Sequence, residues 1–157
     1  METTLELTPY ELERGKPMPS RNHARLEPRL TVQLAKTLAS NQEVFVELSL
    51  ELPGGNVTPD LAVLPAEPSD WLNDEIRVTQ APQTAVEILS PTQSLNELLE
   101  KLEIYFGAGT QSVWVVIPPL QLIRVYYDLD TYQTFEVAEV LTDEKLGVSL
   151  NLSDLFR

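Results

Sequence analysis

Two short apolar segments each carry one acid, and a lysine follows them. In Pro59-Asp60-Leu61-Ala62-Val63 the acid is Asp60, in Ala85-Val86-Glu87-Ile88-Leu89 it is Glu87, and Lys101 stands on a helix-like stretch beyond. Carboxylates at the ends of neighbouring strands can hold a divalent cation, and a nearby ammonium can assist an activated water in attacking a phosphodiester. Each fragment also has a plainer reading. Pro-Asp at a strand entrance is common turn chemistry, and a strand Glu commonly faces solvent. Glu87, however, shares its face with Ala85 and Leu89, and a carboxylate among apolar side chains is costly to bury without a metal or a cation.

The elements that must position these groups follow from periodicity. From Ser20 or Asn22 to about Leu38, the residues Leu26, Leu30, Leu34 and Leu38 recur every fourth position, which predicts an amphipathic helix; Pro28 must lie in its first turn or kink it. Val44, Val46, Leu48, Leu50 and Leu52 alternate with Phe45, Glu47, Ser49 and Glu51, a half-buried strand that Pro53-Gly54-Gly55-Asn56 turns back. The next strand, Val57 to Leu64, sends Leu61 and Val63 to one face and Asp60, Ala62 and Leu64 to the other. Residues 65–80 form a polar connection with room for a short helix. Leu95, Leu98, Leu99, Leu102 and Phe106 then stand at helical spacing over 93–106, stopped by Gly107 and Gly109. Lys101 lies about 60° around that helix from Leu98, at the margin of the buried stripe. It can reach inward, or pair with Glu97 on the exposed face.

The helix links the Glu87 strand to Ser112–Ile117 as a crossover, so those two strands should be parallel neighbours. Gln121 to Tyr127 and Tyr132 to Val140 read as a hairpin around Asp128-Leu129-Asp130-Thr131, and Leu152 to Phe156 as a closing helical turn. The first 20 residues read as an irregular arm with a short strand. The expected fold class is α/β, a mixed sheet flanked by the two helices.

Composition sets the bounds. A chain of 157 residues that is 43% hydrophobic suits one domain spanning 1–157, with 1–20 as an N-terminal arm. The chain has no cysteine and one histidine, which excludes disulfides, thiolate sites and a histidine-rich zinc centre, so any metal is expected to be oxygen-bound. No segment approaches the ~18 apolar residues of a membrane span, and Met1–Glu6 lacks the basic start of a signal peptide, so a cytoplasmic location is expected. The net charge is −13, but residues 1–36 hold six Lys/Arg against five acids while the remainder holds five against nineteen. If the protein meets DNA, the contact should come from the Arg14, Lys16, Arg21, Arg25 and Arg29 region; the alternative is a solvated helix face. His23, between Arg21 and Arg25 at a helix start, can bind a phosphate, orient a carboxylate, cap the helix or pack on the surface. Trp71, Trp114 and Tyr105 read as packing aromatics, because no basic residues interleave with them as in a base-stacking surface.

The order of these pieces carries a resemblance. Tyr10-Glu11-Leu12, His23 opening the first long helix, Pro59 to Val63, Val86-Glu87-Ile88-Leu89-Ser90-Pro91, Glu100-Lys101-Leu102 with Tyr105, Gly107-Ala108-Gly109 and Val113 to Pro118 occur in sequence. Over nearly its whole length the chain resembles the Uma-type family of proposed restriction endonucleases, within the PD-(D/E)XK nuclease superfamily. The resemblance implies a restriction-endonuclease-like core and hydrolysis of DNA dependent on Mg²⁺ or Mn²⁺. It implies a metal held by Asp60, Glu87 and the carbonyl of Ile88, with Lys101 as base or charge stabiliser. Glu11 would be an additional acid that holds a second metal or orients Lys101. Arg21, His23 and Arg25 are the candidate nucleic-acid contacts, and a homodimer is the expected arrangement for cutting two strands. In the commoner superfamily layout the lysine lies two residues after the Glu; here that position is Leu89, and the lysine has moved to the helix. Thr92 to Asn96 is uncharged where the family is richer in arginine. The rival reading is a catalytically weak or inactive nuclease-fold protein that serves as an interaction module, for which the acidic composition and the missing arginines speak. A further rival is a component of a larger complex, docking its acidic face on a basic protein.

Overall fold

Thr8 and Pro9 form a helix start: the Thr8 hydroxyl accepts the N–H of Glu11 at 3.2 Å, and Pro9 takes the first helical position, where its missing N–H is no loss. The computed structural model describes residues 8–14 and 16–157, with the backbone alone for Tyr10, Glu13 and Arg14. Helix α1 (Pro9–Arg14) thus stands where an irregular arm was expected. Residues 1–7 and the side chains of Tyr10 and Arg14 lie outside what is described.

Helix α2 (Arg21–Thr37) is capped by Ser20, whose hydroxyl accepts the His23 N–H at 3.2 Å. Pro28 lies inside the helix, beyond its first turn, so the Ala24 carbonyl loses its helical donor. The apolar alternation after α2 does not make one strand. It divides into β1 (Gln42–Val46) and β2 (Leu50–Leu52), because Glu47 adopts φ 52°, a left-handed conformation unusual for a non-glycine residue. The returning segment divides in the same way: β3 (Gly55–Val57) pairs with β2, and β4 (Leu61–Pro65) pairs with β1. Both breaks fall at one level, and the Glu47 N–H donates to the Asp60 carbonyl at 3.1 Å across them.

β5 (Thr84–Ile88), β6 (Ser112–Ile117), β7 (Leu122–Tyr126) and β8 (Tyr132–Glu136) complete a six-stranded mixed sheet in the order β1-β4-β5-β6-β7-β8. Helix α3 (Leu95–Gly107) makes the β5-to-β6 crossover, and β5 and β6 are the parallel pair, with Glu87 opposite Val115. Ser94 caps α3 by accepting the Glu97 N–H at 3.2 Å, a Ser-x-x-Glu helix start. Every residue of β5 and β6 is buried, as expected of central strands covered on both faces. One face packs on α2 and on a small ladder of β9 (Val140–Asp143) with β10 (Val148–Asn151), through Leu30, Leu34, Val86, Trp114 and Leu150. The other packs on α3 and the β2–β3 ladder, through Leu50, Leu98, Leu102, Tyr105 and Val115.

Three further expectations change. Residues 66–83 contain no helix; the Asp70 carboxylate instead accepts the N–H groups of Leu72 and Asn73, both at 3.1 Å, and competes with helix formation. Trp71, expected to pack, is 92% exposed on that connection, while Trp114 and Tyr105 are buried. The strand expected over Tyr132–Val140 ends at Glu136, where the Glu139 carboxylate accepts the Glu136 N–H at 2.9 Å and turns the chain. Among the described residues, no helix is long and apolar enough to cross a membrane.

Asp143 fastens β9–β10 to the sheet. Its buried carboxylate accepts from the Ser112 hydroxyl at 2.6 Å, the Trp114 indole N–H at 2.8 Å, and the N–H groups of Lys145 and Leu146, each at 3.0 Å. Asp143→Ala strands those donors, at roughly 1–3 kcal/mol for each buried one left unsatisfied. Chemical denaturation should record a loss of about 3 kcal/mol or more; a loss under ~0.5 kcal/mol, the range of ordinary surface changes, would mean that Asp143 does not anchor the ladder.

Candidate active site

The antiparallel pairing of β4 with β5 sets Leu61 opposite Val86, so the start of β4 meets the end of β5. Asp60, just before β4, and Glu87, near the end of β5, arrive at this one end of the sheet, and each is only 1% exposed. The Asp60 carboxylate accepts the Ile88 N–H at 2.7 Å through Oδ2. Its Oδ1 contacts Lys16 Nζ at 2.7 Å and His23 Nε2 at 2.8 Å. Glu87, on the α3 side, accepts the Tyr105 hydroxyl at 2.6 Å through Oε1 and lies 3.7 Å from Lys101 Nζ through Oε2. Lys101 and Tyr105 are one helical turn apart and so share a face of α3.

The electrostatics of the two acids differ. Burial pushes Asp60 upward, but the hydrogen bond from His23 and the charges of Lys16 and His23 outweigh it and hold the carboxyl below its ordinary value. Burial raises Glu87, and the charge of Asp60 adds to the rise, against the pull of Lys101, Lys16 and the Tyr105 hydroxyl. The Tyr105 phenol is held well above its ordinary range by burial and by the neighbouring Glu87 charge. The Asp60 charge thus adds to burial in disfavouring the ionised form of Glu87.

The expected residues fare differently. Asp60, Glu87 and Lys101 come together, and the ion pair that Lys101 makes is with Glu87, not Glu97. Ile88 presents its N–H to Asp60. Glu11 is partly exposed on α1, and its carboxylate has no hydrogen bond or ion pair among the described residues. Arg21 and Arg25 are exposed on α2, with Arg25 bonded to Asn22 at 3.1 Å. His23, expected beside them as a nucleic-acid contact, is turned inward and buried, with Nε2 on Asp60 and Nδ1 3.4 Å from Glu27. Lying about half a turn around the helix from Arg21, it falls on the Leu26–Leu30 side, which carries it into the fold. Arg29 leaves the basic group too, donating to the carbonyls of Leu155 and Arg157 at 2.9 and 3.2 Å.

Lys16, expected in the basic contact region, is instead buried on Asp60; sequence reasoning missed Glu27, Glu47 and the role of Tyr105. His23, Glu27 and Asp60 offer ligand atoms within 4.8 Å of one another, so a nitrogen donor is available where an all-oxygen site was expected. Glu47 reaches Lys16 Nζ at 3.4 Å through Oε1. Tyr105 could have been suspected from its place one turn after Lys101; the left-handed turn at Glu47 has no sequence signal.

The family model of Uma2, described as "Putative restriction endonuclease", matches residues 2–156. The chain belongs to the Uma2 family. A search of curated proteins finds no match. Among solved structures, this Uma2 chain is similar to a crystal structure described as a putative nuclease belonging to DUF820 from Anabaena variabilis, with TM-score 0.78 and 23% identity over 89% of this chain and 83% of that one. At that identity the likeness establishes the fold. A weaker likeness, TM-score 0.37 and 14% identity, is to a DrdV–DNA complex; it covers 71% of the Uma2 chain but 12% of the other, and carries no argument. Family and fold together are restriction-endonuclease-like.

Proposed function

We propose that this protein hydrolyses DNA phosphodiesters with a divalent metal, Mg²⁺ or Mn²⁺, at the Asp60–Glu87 end of the sheet. The observation that carries this reading is the pair of buried carboxylates at the meeting ends of β4 and β5, each attended by a lysine. The donor set fits such an ion: hard carboxylate oxygens suit Mg²⁺ and Mn²⁺, and a dication would offset the burial and the Asp60 charge that together raise Glu87. Ile88 turns its N–H toward Asp60, and the carbonyl of the same strand residue points to the same side, which supports it as a further oxygen donor. When bound, the ion supplies Lewis acidity to the phosphate and acidifies a water. Asp60 and Glu87 hold and orient it. Lys101, only partly buried at 3.7 Å from Glu87, can as an ammonium meet the charge that develops on the phosphoryl oxygens, or as a free amine take a proton from the attacking water. Glu11 has no contact with these groups among the described residues and is left out of the set. A homodimer would present two such sites to the two strands of a duplex.

The test is binding to duplex and single-stranded DNA with Ca²⁺, followed by cleavage with Mn²⁺. Binding should be weak and steeply salt-dependent, since acids outnumber basic residues throughout most of the chain. Arg21→Ala with Arg25→Ala should lower affinity and flatten the slope of log K against log salt by about 0.9 for each duplex phosphate that is no longer neutralised. Folded protein that neither binds DNA at low salt nor cleaves it would leave the interaction-module reading. That second reading has an observation of its own: Trp71, Leu72 and Ile76 are 92%, 94% and 88% exposed on the 66–83 connection.

A further inference from the structure

Lysine is almost never fully buried without a partner, yet Lys16 is 7% exposed. Its ammonium lies 2.7 Å from Asp60 Oδ1 and 3.4 Å from Glu47 Oε1. The segment after α1 delivers it, held where the Lys16 N–H donates to the Glu11 carbonyl at 3.2 Å. A carboxylate has about four lone-pair positions. At Asp60 both positions of Oδ1 are engaged, by Lys16 and by His23, and one of Oδ2 is engaged by the Ile88 N–H. An incoming cation therefore finds the best-placed oxygen already covered by a positive charge. Lys101 stands off Glu87 at 3.7 Å, so the two lysines are not equivalent: one is loosely placed, the other seated.

We propose that Lys16 is a tethered counterion that occupies the cation position at Asp60 Oδ1 and sets the metal affinity of the site, because a divalent ion that takes this oxygen must displace its ammonium. This rests on the metal-dependent reading above. Lys16 stabilises the metal-free fold by neutralising Asp60 and Glu47, and it weakens metal binding by the work of its own removal. A scaffold role predicts the opposite: if Lys16 merely held Asp60 in place for the metal, removing it would weaken binding.

Calorimetric titration with Mn²⁺ alone, and thermal unfolding with and without Mn²⁺, separate these outcomes on the wild type, Lys16→Met, Lys16→Gln and Lys36→Met. Lys36, on the exposed last turn of α2, controls for the loss of one charge far from Asp60. Lys16→Met and Lys16→Gln should bind Mn²⁺ about tenfold or more tightly than wild type, the scale of one charge-assisted hydrogen bond no longer surrendered. Lys36→Met should stay at the wild-type value. The metal-free Lys16 variants should melt lower than wild type and gain more from Mn²⁺ than it does. Lys16→Gln keeps a neutral donor for Asp60 and carries the test if Lys16→Met does not fold. Wild-type binding with equal or weaker binding in the Lys16 variants overturns the counterion role and leaves the metal reading standing. No Mn²⁺ binding in any of the four proteins overturns both. Binding that emerges only without Lys16 supports the counterion in its strongest form.

Discussion

Glu87→Gln is expected to lose Mn²⁺ binding without losing stability, whereas Asp60→Asn is expected to lose both. Each change removes a charged donor from the proposed site, and since even supporting groups around a metal are worth roughly 10–100-fold, a lost carboxylate should cost at least about 100-fold in affinity. The stabilities part company because the two acids are perturbed in opposite directions. Folding raises the Glu87 carboxyl through burial, so its ionised form opposes the fold, and a neutral amide of the same shape removes that cost while still accepting from Tyr105. Folding lowers the Asp60 carboxyl despite burial, through His23 and Lys16, so its ionised form supports the fold and an amide leaves Lys16 inadequately paired. Calorimetry reads the affinity and chemical denaturation the stability. Retained Mn²⁺ binding in both variants would remove Asp60 and Glu87 from the metal site.

Lys101→Met should leave Mn²⁺ affinity within a few-fold of wild type and reduce DNA cleavage by about 10²–10⁴, the range for loss of a positioned proton-transfer group. The side chain is close to Glu87 without being sealed in, being 17% exposed, so methionine can follow the same path along α3 and the helix should remain docked. Single-turnover cleavage with saturating Mn²⁺ measures the effect apart from binding. Cleavage at the wild-type rate would return Lys101 to a structural ion pair.

The two helices and the parallel crossover are legible in the sequence, because each depends on local periodicity or on a connection too long for a hairpin; the Asp60–Glu87–Lys101 set is legible through the order of its segments and the family resemblance they carry. The four-residue leucine spacing of α2 and the apolar stripe of α3 are buried as expected. What escapes lies in long-range or backbone-specific effects. The break at Glu47 follows from a left-handed residue that alternation cannot register. The seating of Lys16 on Asp60 spans 44 residues, and no spacing rule links them. The neighbours Arg21 and Arg25 suggest an outward His23, yet its place on the buried side of α2 is the better guide. Residue type suggests a packed Trp71, although the polar connection around it offers nothing to pack against. The Thr8-Pro9 helix start is a local signal too, present within the 20 residues whose composition suggests an arm.

The site draws its members from the segment after α1, from α2, from the ends of β4 and β5, and from α3. The contacts that join them close separations of 44, 37, 28 and 18 residues. Such closures come at an entropic cost that only the packed sheet offsets. It follows that no fragment of this chain, and no partly folded form, can display the complete constellation: a growing chain on the ribosome lacks it until α3 has emerged and docked. The constellation is thus acquired together with the tertiary structure, and a proteolytic nick that frees either helix is expected to disperse it.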